Sequence, residues 1–428
     1  LRDKQIKRPK PKHPAAENRH ESRPQKTAGK RRKSDTPQRL KAAANHLPHQ
    51  PAPSQPKPAA EAFAFPQFGG ALPREAAPLI LTTEPDADYA LLDLGSGRKL
   101  ERYGAYRIIR PEGQALTLPS LPAAEWAKAD AIFTGNLEEE GVGRWQFPQA
   151  EKQAGADAQP AETWPMRWRG LPYLGRFTSF RHVGVFPEQT AHWLFMEQLI
   201  ANAVQQGRTP RVLNLFGYTG LASLIAARAG AEVTHIDASK KAIGWGQENQ
   251  IFAEMSHAPI RWICEDALKF MAREERRGSS YDIILLDPPA YGRGPKGEVW
   301  QFFDNIAELA VRARRLLSPQ PLAVILTAYS IRASFYALHM LMREAFRGKG
   351  GKVESGELII KQETAAGITE PQSGSQEQGA PGGVTRPRGG AGQSPAAMSA
   401  ETSAADTPRQ LSTSLFSRWV SDYAEEQK

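Results

Sequence analysis

Cysteine is nearly absent from this 428-residue chain, where Cys264 stands alone. One thiol excludes an intramolecular disulfide and an all-cysteine metal centre, and it agrees with a reducing compartment. Long apolar runs are missing as well, so no stretch reads as a membrane span, and the basic amino terminus has no apolar signal core behind it. The expectation is an unexported, cytoplasmic chain that binds neither membrane nor metal. Aromatic residues are lacking from residues 1–60 and again from 365–408. Neither stretch has the apolar payload to offset the entropy of ordering a chain.

The two stretches differ in what replaces the aromatics. Residues 1–60 hold ten prolines and sixteen Lys and Arg against four Asp and Glu, a local charge of +12 that leaves the rest of the chain at −3 of a total of +9. A disordered basic tail over 1–65 follows, either a salt-dependent hold on a phosphate backbone or a solvated extension. Residues 365–408 are rich in Gly, Pro, Ser, Ala and Gln, a composition read as a disordered insertion in a hairpin loop, which loop-closure entropy tolerates.

Hydrophobic residues make up 40% of the chain, enough for a large core, and they fall into two patterns. Over 70–170, short β-like runs (Pro78–Thr82, Tyr89–Leu94, Tyr106–Arg110, Ala131–Thr134) separated by Gly, Pro and Asp predict a small β-rich domain. Its Arg98, Lys99, Arg102 and Arg107, interleaved with Tyr103 and Tyr106, fit either an RNA-contacting face or an ordinary half-buried strand surface. From 175 onward strands alternate with helices, the pattern of a parallel sheet covered on both faces. Val353–Glu363 and Arg409–Val420 have no helix between them and should pair as an antiparallel hairpin.

The alternating part is organised around Arg211–Asp237, a strand, a tight turn, a helix and a second strand. A dinucleotide turn needs G-x-G-x-x-G, but Asn214 and Phe216 occupy glycine places in Asn214-Leu215-Phe216-Gly217-Tyr218-Thr219-Gly220. No Gly-Lys-Ser/Thr follows, which excludes a P-loop. A pyrophosphate, and with it a nicotinamide-dinucleotide dehydrogenase, is disfavoured; a ligand with an amino-acid end suits the turn's N–H groups. Asp237, followed by Ala238 and Ser239, ends the second strand and suits either a ribose diol or a helix N-cap. Asp266, before Ala267, has the same choice between an adenine edge and a cap. Asp287-Pro288-Pro289-Ala290-Tyr291 ends the fourth strand, where two prolines remove two donors and stiffen an elbow on which a carboxylate, a carbonyl and an aromatic ring converge.

On LNLFGYTG, the HID-AS acid turn, CEDAL, DPPAY and the closing hairpin, Gly175–Val420 resembles the class I S-adenosylmethionine-dependent methyltransferases. Within them it is similar to bacterial ribosomal RNA methyltransferases with a small β-rich amino-terminal domain. The resemblance implies a Rossmann-like α/β fold with a seven-stranded sheet ordered 3-2-1-4-5-7-6, strand 7 antiparallel, in a methyltransferase domain over 175–428. It implies that Asn214–Gly220 line the methionine end of S-adenosylmethionine, and that Asp237, Ala238 and Ser239 meet its ribose. Asp266 and Ala267 would meet adenine, Asp287–Tyr291 the methyl and its acceptor, and the loop around His182–Gln189 would close over the cofactor. The expected partner is RNA, ribosomal RNA in particular; a small-molecule or protein acceptor and a noncatalytic RNA-binding role are the alternatives. Relatives that methylate cytosine C5 use a cysteine after the fourth or fifth strand, where this chain has DPPAY and LTAYS. Cys264 is expected to be a buried core residue instead.

Overall fold

The computed structural model describes residues 63–135, 143–150, 160–364 and 408–426. The basic tail, but for its last three residues, and nearly all of the 365–408 insertion lie outside the described residues.

The first strand, β1 (Arg74–Thr83), leaves its sequence neighbours and becomes the edge of the large sheet described below. Next come β2 (Tyr89–Gly95), β3 (Arg98–Tyr103), β4 (Tyr106–Pro111), β5 (Ala131–Thr134) and β6 (Arg144–Gln146), which form a five-stranded sheet in chain order. A separate hairpin pairs β7 (Thr163–Trp168) with β8 (Leu171–Arg176). Every residue of β2 is buried because both sheet faces are covered. Ala90 and Leu92 pack with Leu100 and Ile109 on one side, while Tyr89 and Leu91 join the main core on the other.

This sheet buries charge deliberately. Glu101, fully buried on β3, accepts two hydrogen bonds of 2.8 Å from the Arg110 guanidinium and further ones from the Tyr89 and Tyr103 hydroxyls. Lys99 sits 3.6 Å from Glu101 and 3.4 Å from Glu112. Arg102 pairs with Glu363, Arg107 with Glu125, and Tyr106 packs edge-on against Trp164. Of the two readings of this basic, aromatic strand pair, the structure builds the half-buried surface: most of its cations hold acids of the same chain. The internal pairs also explain why β3 carries no alternating apolar signal.

The large sheet runs through β9 (Arg211–Leu215), β10 (Glu232–Asp237), β11 (Ile260–Cys264) and β12 (Ile283–Leu286). After a short hairpin of β13 (Tyr291–Arg293) and β14 (Val299–Gln301) it continues with β15 (Ala323–Ala328), β16 (Lys352–Lys361) and β17 (Gln410–Val420). Its order is β11-β10-β9-β12-β15-β17-β16-β1, with β17 antiparallel to both neighbours and the other pairs parallel. Numbered from β9, this is the expected 3-2-1-4-5-7-6 order with one strand added. The addition is β1, whose Pro78 falls at a register shift and is tolerated because an edge strand can do without that N–H. Alternation along β12 shows the two covered faces: Ile283 and Leu285 belong to one core, Ile284 and Leu286 to the other. Helices Thr190–Gln205 and Leu221–Arg228 cover the first face, and Ala267–Arg277, Phe302–Arg315 and Phe335–Ala345 the second.

Candidate active site

At the carboxyl end of β9 the chain turns sharply. Phe216 (φ 58°), Tyr218 (φ 52°) and Gly220 (φ 80°) are left-handed within five residues, which brings the backbone back over the sheet edge before helix Leu221–Arg228 begins. Gly217 is required by packing: a Cβ there would lie 2.3 Å from the His235 ring and 2.9 Å from Asn214 Nδ2. His235 is held beneath the turn by Ser223, whose hydroxyl lies 2.9 Å from Nδ1 and accepts a 3.0 Å bond from Asn214. Burial pushes its imidazole down to about 3, so the support under the turn is uncharged. Three turn amides are already committed, Gly217 to Ile236 O, Tyr218 to Asp237 and Gly220 to Gly217 O. That limits how many can receive a carboxylate.

Asp237, at the end of β10, accepts from the N–H of Tyr218 (2.9 Å) and of Ser239 (2.8 Å). Burial pushes its carboxyl above the ordinary value and the two N–H bonds pull the other way, with burial prevailing. The cap of helix Lys240–Phe252 is Ser239, which accepts from Ala242 N–H, so Asp237 does not fill that role. Ala238 contributes its carbonyl, which receives the Cys264 thiol at 3.5 Å. Asp266 does cap its helix, accepting from Lys269 N–H at 3.0 Å, and Ala267 is buried in the core. Cys264 is exposed, not a core residue as expected: it is the last residue of β11, and the sheet edge leaves its side chain open beside Asp237.

The elbow after β12 is braced. The Pro289 carbonyl accepts from Trp300 Nε1 at 2.7 Å, Ala290 O accepts from Phe302 N–H, and Trp300 packs against Phe216. Asp287 and Tyr291 nevertheless part ways. Asp287 faces the turn, whereas Tyr291 is exposed on the β13–β14 hairpin with its hydroxyl bonded to Arg293.

A cavity of about 70 Å³ gathers Asn214, Phe216, Gly217, Tyr218, Thr219 and Asp287. Asp237, Asp266, Pro288, Pro289 and Tyr291 do not line it. On the order of two water molecules would fill it, so a larger ligand must extend out along the strand ends, where Asp237, Cys264 and Asp266 lie. The roof is the loop before helix Thr190–Gln205: Val185 and Phe186 line the cavity, and Thr219 donates a 2.6 Å bond to Gly184 O.

Of the further lining residues, Gln189 ends the loop expected over the cofactor, whereas His192 and Thr327 were not singled out from the sequence. Gln189 bonds the Tyr329 hydroxyl at 3.0 Å and lies 3.4 Å from Thr327. His192 is 2% exposed, and neither ring nitrogen has a hydrogen-bond partner among the described residues. Burial holds it well below its ordinary value and therefore neutral. The available signal was Gln189 and His192 three positions apart, on a helix start that is otherwise apolar on that face. Among the described residues no helix is long and apolar enough to cross a membrane, and no group of three or more His, Cys, Asp or Glu is arranged to hold a metal ion.

No protein-family model matches the chain. Among solved structures, the S-adenosylmethionine-dependent methyltransferase from Agrobacterium tumefaciens is 50% identical, superposes with a TM-score of 0.69, and is matched over 84% of this chain and 98% of its own. The ribosomal RNA large subunit methyltransferase K/L of Pseudoalteromonas translucida is 33% identical over 130 residues, 29% of this chain and 18% of that relative. Its counterpart in Psychrobacter cryohalolentis is 26% identical over 212 residues, 46% of this chain and 26% of that relative. The chain therefore spans only a minor part of the length of those two curated relatives. The near end-to-end match at half identity, on the expected strand order, decides the family: this chain belongs to the S-adenosylmethionine-dependent methyltransferases, and S-adenosylmethionine is its cofactor.

Proposed function

We propose that the chain transfers a methyl group from S-adenosylmethionine to a base of ribosomal RNA in the cytoplasm. The observation that carries the acceptor class is the local identity to ribosomal RNA methyltransferases K/L. The division into a small β-rich domain over 70–170 and a methyltransferase domain from 175, with β1 lent to the larger sheet, is part of the same reading.

The residues present suit the cofactor. His192, buried with neither ring nitrogen hydrogen-bonded among the described residues, and Gln189 face a cavity sized for a small group, the methionine end, beside Asn214–Gly220. Each Asp237 oxygen accepts one N–H and keeps capacity for a ribose hydroxyl, with Ala238 and Ser239 alongside. Asp266 and Ala267 form the next strand end, where adenine would lie. The bound cofactor supplies an activated methyl on a sulfonium. The chain's own task is alignment and exclusion of water, for which the Gly184–Phe186 roof and the braced elbow are built. Asp287 faces the cavity and would stand beside the activated methyl; Pro288 and Pro289 fix its direction, and Tyr291, exposed, would stack on a nucleotide flanking the acceptor.

The test is transfer of tritiated methyl from S-adenosylmethionine to ribosomal RNA extracted from cells lacking the gene. Incorporation into RNA is expected, abolished by Asp287→Ala with cofactor binding retained. Transfer to a small molecule or a protein, with none to RNA, would replace this acceptor by that one.

A further inference from the structure

Next to the turn cavity lies a second, larger one of about 240 Å³ between the five-stranded sheet and the carboxyl edge of the large sheet. Val185 and Phe186 line both, so the two share a wall. Lys99, Arg110 and Arg181 line the second cavity together with Phe186, Tyr329 and the buried Glu188. We propose that this second cavity receives the acceptor as a single flat heterocycle, a nucleobase turned out of a single strand, and that the Glu188 carboxyl reads its polar edge. The inference rests on the RNA reading above and deepens it.

Four observations carry it. Position comes first: a methyl acceptor must abut the methyl donor, and this cavity is separated from the turn cavity by Phe186 alone among large side chains common to both. Shape and size come second. The Phe186 ring lies 4.9 Å from His182 and 5.3 Å from Tyr329, an aromatic wall that suits a flat ring. The volume is on the order of eight waters, below the range of pockets that take drug-sized ligands and suited to one base, not to a length of chain.

Charge balance is the third. The cations suggest an anion, but Arg110 is bound to Glu101 and to the Arg181 carbonyl, and Lys99 is shared by Glu101 and Glu112. An incoming phosphate would have to compete with carboxylates already in place; a neutral ring need not. The fourth is Glu188 itself. Its backbone carbonyl is within 3.3 Å of the Thr83 hydroxyl at the end of β1, which fixes the residue in place. Burial, opposed by Lys99 and Arg110, raises its carboxyl above the ordinary value. A carboxyl accepts through both oxygens and, when it carries a proton, also donates beside an acceptor, a pattern that pairs with adjacent nitrogen and amine positions on a base edge. Unwinding such a base costs least in a single strand, so loops are the expected substrate.

The experiment compares the full chain with Glu188→Leu and Glu188→Gln. It measures S-adenosylhomocysteine affinity by calorimetry, unfolding midpoint, and kcat and KM for methyl transfer to ribosomal RNA from cells lacking the gene. Glu188→Leu should retain fold and cofactor affinity and lose about 10–100-fold in kcat/KM for RNA, the cost of an unpaired polar edge. Glu188→Gln, which also donates and accepts, should recover most of that loss. Unchanged kcat/KM in Glu188→Leu, with wild type active on RNA, overturns the pocket and leaves the RNA reading standing. A Glu188→Gln variant as impaired as Glu188→Leu overturns the side-by-side donor and acceptor at this position. Wild type inactive on RNA but active on another acceptor removes the RNA reading, and the nucleobase with it.

Discussion

The five-stranded sheet and the carboxyl edge of the large sheet both bury polar side chains, and they treat them in opposite ways. In the first, Glu101 is surrounded by Arg110, Lys99, Tyr89 and Tyr103, and the buried Asp93 receives Trp126, Ser120 and the guanidinium of Arg409. Both of these buried carboxylates are answered from within the chain. At the sheet edge, His192 has no hydrogen-bond partner among the described residues, and Asp237 is held by two backbone amides and no cation among them. Burial of a polar group is thus not in itself the mark of a site. What distinguishes the edge is that its groups are positioned but not neutralised, which a protein tolerates where a ligand completes the set.

The contrast can be broken most forcefully inside the small sheet. Glu101→Gln leaves Arg110 and Lys99 short of their shared anion and should cost about 3–5 kcal/mol of stability, read as a lower denaturant midpoint, with the cofactor affinity of the folded protein little changed. A loss of cofactor binding without loss of stability would reverse the roles assigned to the two regions.

At the edge the effect should fall on binding. Asp237→Ala removes an ionised acceptor from the ribose and should weaken S-adenosylhomocysteine binding by about 2–3 kcal/mol, roughly 30–150-fold. The same carboxyl gives a pH dependence. Its pKa is raised in the folded, cofactor-free protein, so the fold retains that proton above 3.8 while the unfolded chain releases it, and its contribution to stability declines as pH rises through this window. Ribose hydroxyls favour the ionised form, so cofactor affinity should climb over the same range, and Asp237→Asn should flatten the climb. Calorimetry between pH 4 and 7 checks both signs.

His192→Leu separates the two behaviours in one residue. Removing an unpaired buried imidazole should raise the stability of the cofactor-free protein, or leave it level, while cofactor affinity falls by about 1 kcal/mol, roughly fivefold. A destabilised variant with full affinity would make His192 a packing residue. The smallest effect belongs to Cys264: Cys264→Ser should leave kcat unchanged, since the thiol lies beside the third strand's end and its pKa is raised by burial and by Asp237, both adverse to a nucleophile.

Much of the edge was legible because its elements obey short-range rules. The closing hairpin, expected from Val353–Glu363 and Arg409–Val420, falls within two residues of β16 and β17, and Asp266 was one of two offered caps and does start the helix at Ala267. The sheet order came with the family resemblance. Strand β1 was assigned to the small domain because its partner, β16, lies some 280 residues later and no local pattern announces that pairing. β3 was missed because two of its buried residues, Lys99 and Glu101, are charged. Cys264 was misplaced because a sulfur in an apolar strand reads as core, and only the register of β11 against Asp237 shows that it stands at the open end. Tyr329 and His192 lie in segments whose apolar pattern masks polar atoms turned toward a cavity. Residues 1–62 of the tail and 365–407 of the insertion fall outside the described residues.

The central claim, methyl transfer to a ribosomal RNA base, is tested most directly by mass spectrometry of ribosomal RNA nucleosides from a strain lacking the gene. The account predicts one methylated nucleoside reduced or lost, restored by the wild-type gene and not by Asp287→Ala. An unchanged nucleoside profile would contradict it.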